Sequence, residues 1–228
     1  MMAGLYKKLT IIIASGGLSK EIIDTLLESE DTHEIVGVID EYKKIGDPFH
    51  GTKIIGSIND IPKMAKKVEN LYFHVAIGDN FIRSKVYKEI VNLNIKNLIP
   101  LTIIDSTAVI KKSSSVGFGC YIAAGTIIQS STKIGNFSII NLNTSIDHDN
   151  FIDDFCSLAG NSITGGNVKI GKFSHLALAT VIKNNIVIEE NVIVGSNSYV
   201  SKNLTKNNIY FGNPAKLYKK RILGEKYL

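Results

Sequence analysis

The stretch "YIAAGTIIQSSTKIGNFSIINLNTSIDHDNFIDDF", residues 121–155, carries a large aliphatic residue at every sixth position. The series extends without insertion over seventeen positions, of which sixteen hold Ile, Val or Leu. These anchor positions are Ile104, Ile110, Val116, Ile122, Ile128, Ile134, Ile140, Ile146, Ile152, Leu158, Thr164, Ile170, Leu176, Ile182, Ile188, Val194 and Val200. Neither an α-helix nor an ordinary strand has a period of six. Short strands wound into a solenoid do, so the array predicts a parallel β-helix.

A second column of small residues supports a tightly wound prism. It lies four residues after the anchors, at Ser114, Cys120, Thr126, Thr132, Ser138, Thr144, Cys156, Ser162, Ser174 and Thr180. Cys120 and Cys156 are 36 residues apart. Two coils of strands spaced about 4.8 Å apart would separate them too far for a disulfide. We therefore expect two thiols in the core.

The residues before the array alternate strand and helix. "LTIII" is an apolar strand that ends in "ASGGLS", "KEIIDTLLES" follows as a helix, and "EIVGVID" is a strand that ends at Asp40. Strand, glycine-rich turn, helix and strand with a terminal acid is typical of a nucleotide-binding α/β unit. The loop does not match G-x-G-x-x-G, so a small α/β domain with a tight turn remains an equal alternative from these residues alone.

Composition restricts the class of protein. The 228 residues carry 26 Lys plus Arg against 21 Asp plus Glu, for a formal charge of +5, which suits an anionic partner such as a nucleotide or simply a lysine-rich surface. No stretch joins clustered Arg to aromatic residues, so we expect no nucleic-acid partner. The first apolar run is too short to span a bilayer and has no signal-peptide pattern. We expect a cytoplasmic protein without membrane insertion.

The segment "IDHDNFIDDF", residues 146–155, gathers four carboxylates around His148. A neutral imidazole titrates near pH 6.5 and can take a proton from an attacking group, and an adjacent carboxylate raises its basicity. A solvated acidic turn is the alternative, since runs of charge usually lie on surfaces.

The array, taken with "SIDHD", "GGNVKIG" and "GNPAK" in this order, resembles the hexapeptide-repeat sugar O- and N-acetyltransferases. These are of the sialic acid O-acetyltransferase and UDP-4-amino-sugar N-acetyltransferase type found in bacillosamine synthesis. The resemblance implies a small N-terminal Rossmann-like βαβ domain over residues 1–100 and a left-handed parallel β-helix, with a C-terminal tail, over 101–228. It also implies acetyl-CoA as co-substrate, a nucleotide-linked amino sugar as acceptor, a homotrimer and no metal.

The same resemblance assigns three catalytic residues. His148 is the general base, Asp149 raises its basicity, and Gly166 supplies a backbone N–H to the oxyanion. Counting supports the pairing, because Gly166 lies 18 residues, or one coil, beyond His148.

Binding residues are assigned in the same way. The substrate is expected at Gly16, Gly17, Leu18, Asp40, Glu41, Gly78 and Asn141, and the coenzyme at Ser157, Leu178 and Ser196. The chain departs from the family where Leu18 replaces a histidine and Ala14 a glycine. Ser157 also stands where a second histidine is common, and the nearest histidine in that column, His175, is one coil further along.

Three functions follow as hypotheses. The first is an acetyl-CoA-dependent N-acetyltransferase acting on the amino group of a nucleotide-linked amino-deoxy sugar. The second is an O-acetyltransferase of sialic acid or a related sugar. The third is a non-catalytic trimer that binds a nucleotide-sugar. Retention of His148, Asp149 and Gly166 argues against the third, and the nucleotide-binding half favours the first.

Overall fold

The computed structural model describes residues 7–29 and 32–227, which form two compact units. The first unit comprises the described residues up to Ile77 together with Arg83–Ile103. The second comprises Gly78–Ile82 and the described residues from Ile104 onward. The short segment 78–82, which includes the first turn of the helix Asn80–Asn92, therefore belongs to the β-helical unit.

The first unit is built on a six-stranded sheet. Its elements are β1 (Lys8–Ile13), α1 (Gly17–Glu28), β2 (His33–Ile39), β3 (Pro48–Phe49), β4 (Thr52–Gly56), a 3₁₀ turn (Ile58–Asp60), α2 (Ile61–Ala65), β5 (Leu71–Val75), α3 (Asn80–Asn92) and β6 (Leu98–Pro100). The strand order is β3-β4-β2-β1-β5-β6, with only the β3–β4 pair antiparallel. β1 is central because its residues are apolar on both faces, as buried parallel strands require, and Ile11 and Ile12 are fully buried.

The second unit is the predicted left-handed parallel β-helix. Its two-residue strands are β7 (Ile103–Ile104), β8 (Val109–Ile110), β9 (Ser115–Val116), β10 (Tyr121–Ile122), β11 (Ile127–Ile128), β12 (Lys133–Ile134), β13 (Ile139–Ile140), β14 (Ser145–Ile146), β15 (Phe151–Ile152), β16 (Ser157–Leu158), β17 (Ile163–Thr164), β18 (Lys169–Ile170), β19 (His175–Leu176), β20 (Val181–Ile182), β21 (Val187–Ile188), β22 (Ile193–Val194) and β23 (Tyr199–Val200). Two longer strands close the array, β24 (Asn208–Phe211) and β25 (Lys216–Lys220).

Three parallel sheets form the faces of the prism. Face 1 runs from β7 through every third strand to β22, and β24 and β25 extend it. Face 2 contains β8, β11, β14, β17, β20 and β23, and face 3 contains β9, β12, β15, β18 and β21. Stacked partners are 18 residues apart, as in Ile122, Ile140 and Leu158. These three side chains are fully buried, which confirms the predicted inward column.

One anchor residue differs from the prediction. Ile104, the first of the series, is 42% exposed. It lies in the terminal coil, so only one neighbouring coil covers it.

A left-handed backbone conformation recurs at every sixth residue of the prism. The positions are Gly119, Gly125, Ser131, Phe137, Asn143, Asp149, Phe155, Asn161, Asn167, Phe173, Ala179, Asn185, Asn191 and Asn197, each with φ between 52° and 68°. This conformation turns the chain from one face to the next. Asparagine is frequent among them because its short polar side chain tolerates positive φ better than other non-glycine residues do.

The small-residue column lies inside the corners and bonds one coil to the next. The hydroxyl of Thr132 donates to the carbonyl of Asp147 at 2.7 Å, and that of Ser138 donates to Asp153 at 2.9 Å. Cys120 and Cys156 occupy the same column as buried thiols that form no disulfide, as predicted.

The described helices include none long and apolar enough to cross a membrane.

The inward column should dominate the stability of the β-helix. Ile170 is fully buried and its neighbour Lys169 points outward from the same strand. Ile170→Ala should lower the free energy of unfolding by about 2–5 kcal/mol in urea titrations, because it leaves a cavity in a packed core. Lys169→Ala should change it by less than about 0.5 kcal/mol. Equal effects would contradict the inward placement of the six-spaced residues.

Candidate active site

The acid-rich turn holds His148 at the edge between faces 2 and 3. It joins β14 to β15, and Asp149 adopts the left-handed conformation with φ 57°. The Nδ1 atom of His148 lies 2.7 Å from an oxygen of Asp149, and the His148 amide donates to Asp147 at 2.8 Å. The imidazole is 54% exposed, so an incoming ligand can reach it.

The pKa of His148 is raised above its ordinary value. The largest cause is the hydrogen bond to Asp149, followed by the negative charge of Asp147, and these outweigh a small desolvation effect. Both carboxylates stabilise the imidazolium, which makes the neutral ring a stronger base.

Gly166 lies one coil above the imidazole, as counting predicts. A Cβ atom at this position would come within 2.6 Å of Cε1 and Nε2 of His148. Only glycine allows the ring to rest directly against the main chain here. The structure thus brings His148, Asp149 and Gly166 together.

Thr164, the single polar anchor, also takes part in this arrangement. Its hydroxyl accepts a hydrogen bond from the amide of Asp147 at 3.3 Å. At the matching positions of other coils, the amide donates to a carbonyl, as Asn141 does to Leu158 and Asp153 does to Ile170. The sequence shows Thr164 as the polar exception among the anchors, but it does not predict the hydrogen bond to the Asp147 amide.

Ser157 and His175 lie on face 1, away from the His148 edge. Both are buried, in paired strands β16 and β19. The Ser157 hydroxyl donates to the side-chain oxygen of Asn80 at 2.5 Å. The His175 ring contacts that of Tyr227 with the centroids 4.7 Å apart and the planes tilted by 46°. Within one chain neither residue lies on the His148 edge. The coenzyme contact expected of Ser157 stays a prediction.

Leu178, Ser196 and Asn141, for which coenzyme or sugar contacts are predicted, lie on the edge between faces 1 and 2. Leu178 is 59% exposed, Ser196 is exposed and stacks one coil above it, and Asn141 is half-buried at the end of β13. The Leu178 carbonyl accepts from the amide of Asn197 at 2.9 Å. This edge and the His148 edge are separated by the width of face 2.

In the first unit, Asp40 fixes the loop that follows β1. One carboxylate oxygen accepts from the Ser15 amide at 3.0 Å and from the Ser15 hydroxyl at 2.5 Å, and the other accepts from the Tyr42 amide at 2.9 Å. Burial by itself would raise the pKa of Asp40, but these hydrogen bonds outweigh it and hold the pKa below its usual value. Asp40 is therefore an anion that shapes the loop.

The glycines of this loop face open space. A Cβ atom at Gly16 or Gly17 would meet no atom of the described chain within 4 Å. They follow β1, whose neighbours are β2 and β5, so the loop lies at the carboxyl edge where the strand order reverses. Open α/β sheets bind their ligands at such a point. Glycine here leaves room for a group from outside the chain.

Ala14 and three residues with predicted substrate contacts differ in their surroundings. Ala14 holds φ at 83°, a left-handed conformation that favours glycine, so its backbone is under strain. Leu18 is half-buried at the start of α1. The Glu41 carboxylate accepts from the Ile58 amide at 2.8 Å. Gly78 belongs to the second unit. The ligand contacts predicted for Leu18, Glu41 and Gly78 stay predictions.

Comparison with known proteins gives a consistent picture. Residues 10–90 match the PglD N-terminal domain. A histidine-to-alanine variant of GDP-perosamine N-acetyltransferase from Caulobacter crescentus, solved with CoA and GDP-perosamine, superimposes with a TM-score of 0.85 at 25% identity, over 92% of this chain and 97% of that one. The acetyltransferase domain of PglB from Neisseria gonorrhoeae, in complex with acetyl coenzyme A, shares the fold with a TM-score of 0.80 at 20% identity, over 93% and 100%.

A curated relative, uncharacterized protein L142 of Acanthamoeba polyphaga mimivirus, is 35% identical over 129 residues, or 57% of this chain. The match covers 24% of the length of that protein. Together the comparisons confirm the predicted resemblance to the hexapeptide-repeat sugar acetyltransferases, and with it the fold class of an N-terminal α/β domain followed by a β-helix.

The His148–Asp149 pair predicts a measurable titration. The imidazole pKa should lie above 6.5, and Asp149→Asn should lower it, because the variant loses the negative charge and the strongest hydrogen bond to the imidazolium. Nuclear magnetic resonance of the ring protons would follow both titrations. Asp153→Asn, a carboxylate of the same segment, serves as the control and should leave the His148 curve in place. An unshifted curve in Asp149→Asn would contradict the pairing.

Proposed function

We propose that this chain transfers the acetyl group of acetyl-CoA to the amino group of a nucleotide-linked amino-deoxy sugar. The observation that carries the proposal is the His148 ring, bonded to Asp149 and resting against Gly166. A base and a main-chain donor side by side suit acyl transfer, in which one group accepts a proton while the other stabilises an oxyanion.

The ring geometry divides the roles. Nδ1 of His148 is engaged by Asp149, which leaves Nε2 to take the proton of the attacking amine. As the amine nitrogen bonds to the thioester carbonyl carbon, the N–H of Gly166 donates to the developing oxyanion. Loss of one such donor costs about 3 kcal/mol in comparable enzymes. The carbon–sulfur bond then breaks, and His148 returns the proton to the departing thiolate.

The first unit supports a nucleotide-linked acceptor. Gly16 and Gly17 leave space beside the N-terminus of α1, where free N–H groups and the helix dipole favour phosphate. The 25%-identical relative holds GDP-perosamine, which supports an amino sugar linked to a nucleotide. We infer the class of acceptor from these two observations and leave the base and the sugar to experiment.

The second unit supports a homotrimer. Outward residues of face 2 form an apolar stripe, with Val109, Ile127, Ile163 and Val181 each at least 38% exposed. The proposed coenzyme edge at Leu178 and the base at His148 border this face on opposite sides. A neighbouring copy packed on it would bring the coenzyme edge of one chain beside the base of another.

The activity is tested by incubating the protein with acetyl-CoA and a panel of UDP-, dTDP- and GDP-linked amino sugars, with free sialic acid included. Release of CoA and the acetylated product are followed. Acetylation of a nucleotide-linked amine is expected. Acetylation of sialic acid hydroxyls alone would favour the O-acetyltransferase hypothesis, and no turnover would favour a binding protein.

The two histidines should respond differently to substitution. His148→Ala should lower kcat by about 10²–10⁴-fold, the usual contribution of a positioned general base, with little change in the KM for acetyl-CoA. His175→Ala should retain most of the kcat of a protein that stays folded, since this ring packs on Tyr227. Steady-state kinetics would decide. If His175→Ala abolished turnover while His148→Ala kept near-wild-type kcat, the acid-rich turn would have no catalytic role.

Assembly is tested separately by sedimentation. The mass expected in solution is three times the 25.0 kDa of one chain. Ile163→Asp, on the exposed stripe of face 2, should dissociate the trimer and abolish turnover together, because it places charge on the proposed interface. Lys169→Asp on face 3 is the control. A stable, active monomer at micromolar concentration would refute the intersubunit site.

A further inference from the structure

Thr164 and Asn150 each depart from the polar or apolar residue type usual in their column, and both bond to the turn that carries His148. Thr164 is the only anchor outside Ile, Val and Leu, and its hydroxyl binds the Asp147 amide. Asn150 is the only carboxamide in the inner-corner column, where its neighbour one coil below is Thr132. In a structure otherwise specified by repetition, departures of this kind concentrate at functional sites.

The carboxamide of Asn150 donates to three carbonyl oxygens. Nδ2 lies 2.8 Å from the oxygen of Asp147, 3.1 Å from that of His148 and 3.0 Å from that of Gly165. The side chain is 2% exposed, so water does not compete for these bonds. The bond to Gly165 repeats the coil-to-coil bond that hydroxyls make elsewhere in the column. The bonds to Asp147 and His148 are additional.

These contacts connect both parts of the proposed site. Asp147 and His148 form the turn of the base, and Gly165 immediately precedes the glycine against which the imidazole rests. The amide of Asn167 donates to the same His148 oxygen at 3.0 Å, from the other side of Gly166. One buried side chain therefore sets the spacing between the base and the oxyanion donor.

The arrangement has an energetic cost at Oδ1, the oxygen of the Asn150 carboxamide. Among the described residues no donor reaches the buried Oδ1 of Asn150. An unpaired buried acceptor is unfavourable, and a threonine would avoid it while still reaching Gly165. Stability alone would therefore favour a hydroxyl at this position.

We infer that Asn150 is a positioning residue, which holds the turn of His148 at a fixed distance from Gly166. The inference rests on the proposed acetyl transfer for its kinetic consequence, but its structural consequence can be measured without it. Asn150 is buried and would touch neither substrate nor the reacting atoms, so its role is to hold other residues of the proposed site in place.

Asn150→Thr separates positioning from stability. The variant restores the residue type of Thr132 and should keep or raise Tm. It removes the two additional bonds, so kcat should fall by about 10–100-fold while the KM values for acetyl-CoA and acceptor stay within about twofold, as a small misplacement of a catalytic group predicts. The double variant with His148→Ala should lose nothing beyond His148→Ala, because the two residues act as a unit.

The matched control is Ser114→Thr, in the same column but two coils below Asn150. Its hydroxyl makes the ordinary bond to the Gln129 carbonyl at 2.6 Å, and the variant should retain kcat and Tm. Hydrogen exchange gives a readout independent of activity. Amides 147–150 and 165–167 should exchange about tenfold faster in Asn150→Thr and unchanged in Ser114→Thr.

The outcomes distinguish the inference from the proposed function. If the wild-type protein acetylates nothing in the panel, the exchange data alone decide, and faster exchange at the turn upholds the positioning role. Unchanged exchange overturns it. In an active enzyme, wild-type kcat in Asn150→Thr overturns it as well. So does a fall in Tm with kcat preserved, which would make Asn150 a purely structural residue.

Discussion

The 18-residue coil is the constraint on which the second unit depends. Backbone amides bond to carbonyls one coil away, hydroxyls inside the corners do the same, and a left-handed residue at every sixth position turns the chain. An insertion of one residue would displace every later side chain from its column. Because the register is kept without a gap, residues distant in sequence are held in vertical contact. His148 and Gly166 meet for this reason alone, as do the stacked rings of Phe137 and Phe155 at another edge.

The four carboxylates of residues 146–155 divide between the surroundings of His148 and a structural corner at the next edge. Asp147 and Asp149 both act on His148, by charge and by hydrogen bond, and raise its basicity. Asp153 and Asp154 belong to the next edge, where the first accepts from the amide of the second at 2.7 Å. Asp154 also accepts from the Asn136 amide at 2.8 Å and pairs with a lysine one coil above. The segment therefore combines an electrostatic environment for a base with an ordinary structural corner.

The sequence predicted the β-helix and the contact between His148 and Gly166 because both follow from a fixed period. The anchors predict the inward face, and adding 18 predicts that Gly166 covers His148. It missed β3, β4 and β6, which are short strands without a distinctive alternation. It also missed the bond between Ser157 and Asn80, since 77 residues separate them and no repeat relates them. The sequence also did not predict the positive φ of Ala14, because alanine adopts this backbone conformation rarely but is not excluded from it.

A repeat that gives rigidity also limits what one chain can do. The edges of a repetitive prism are equivalent unless their side chains differ, and two edges of this prism carry different exposed residues. One edge presents His148 and Gly166, and another presents Leu178 and Ser196, with the apolar residues of face 2 between them. No motion within a coil can bring these edges together, because every rung is bonded to its neighbours. Under the proposed function, a second copy of the prism would place the coenzyme edge of one chain beside His148 of another. The proposed acetyl transfer would then depend on the proposed assembly, and the exposed stripe of face 2 is the surface proposed for that interface.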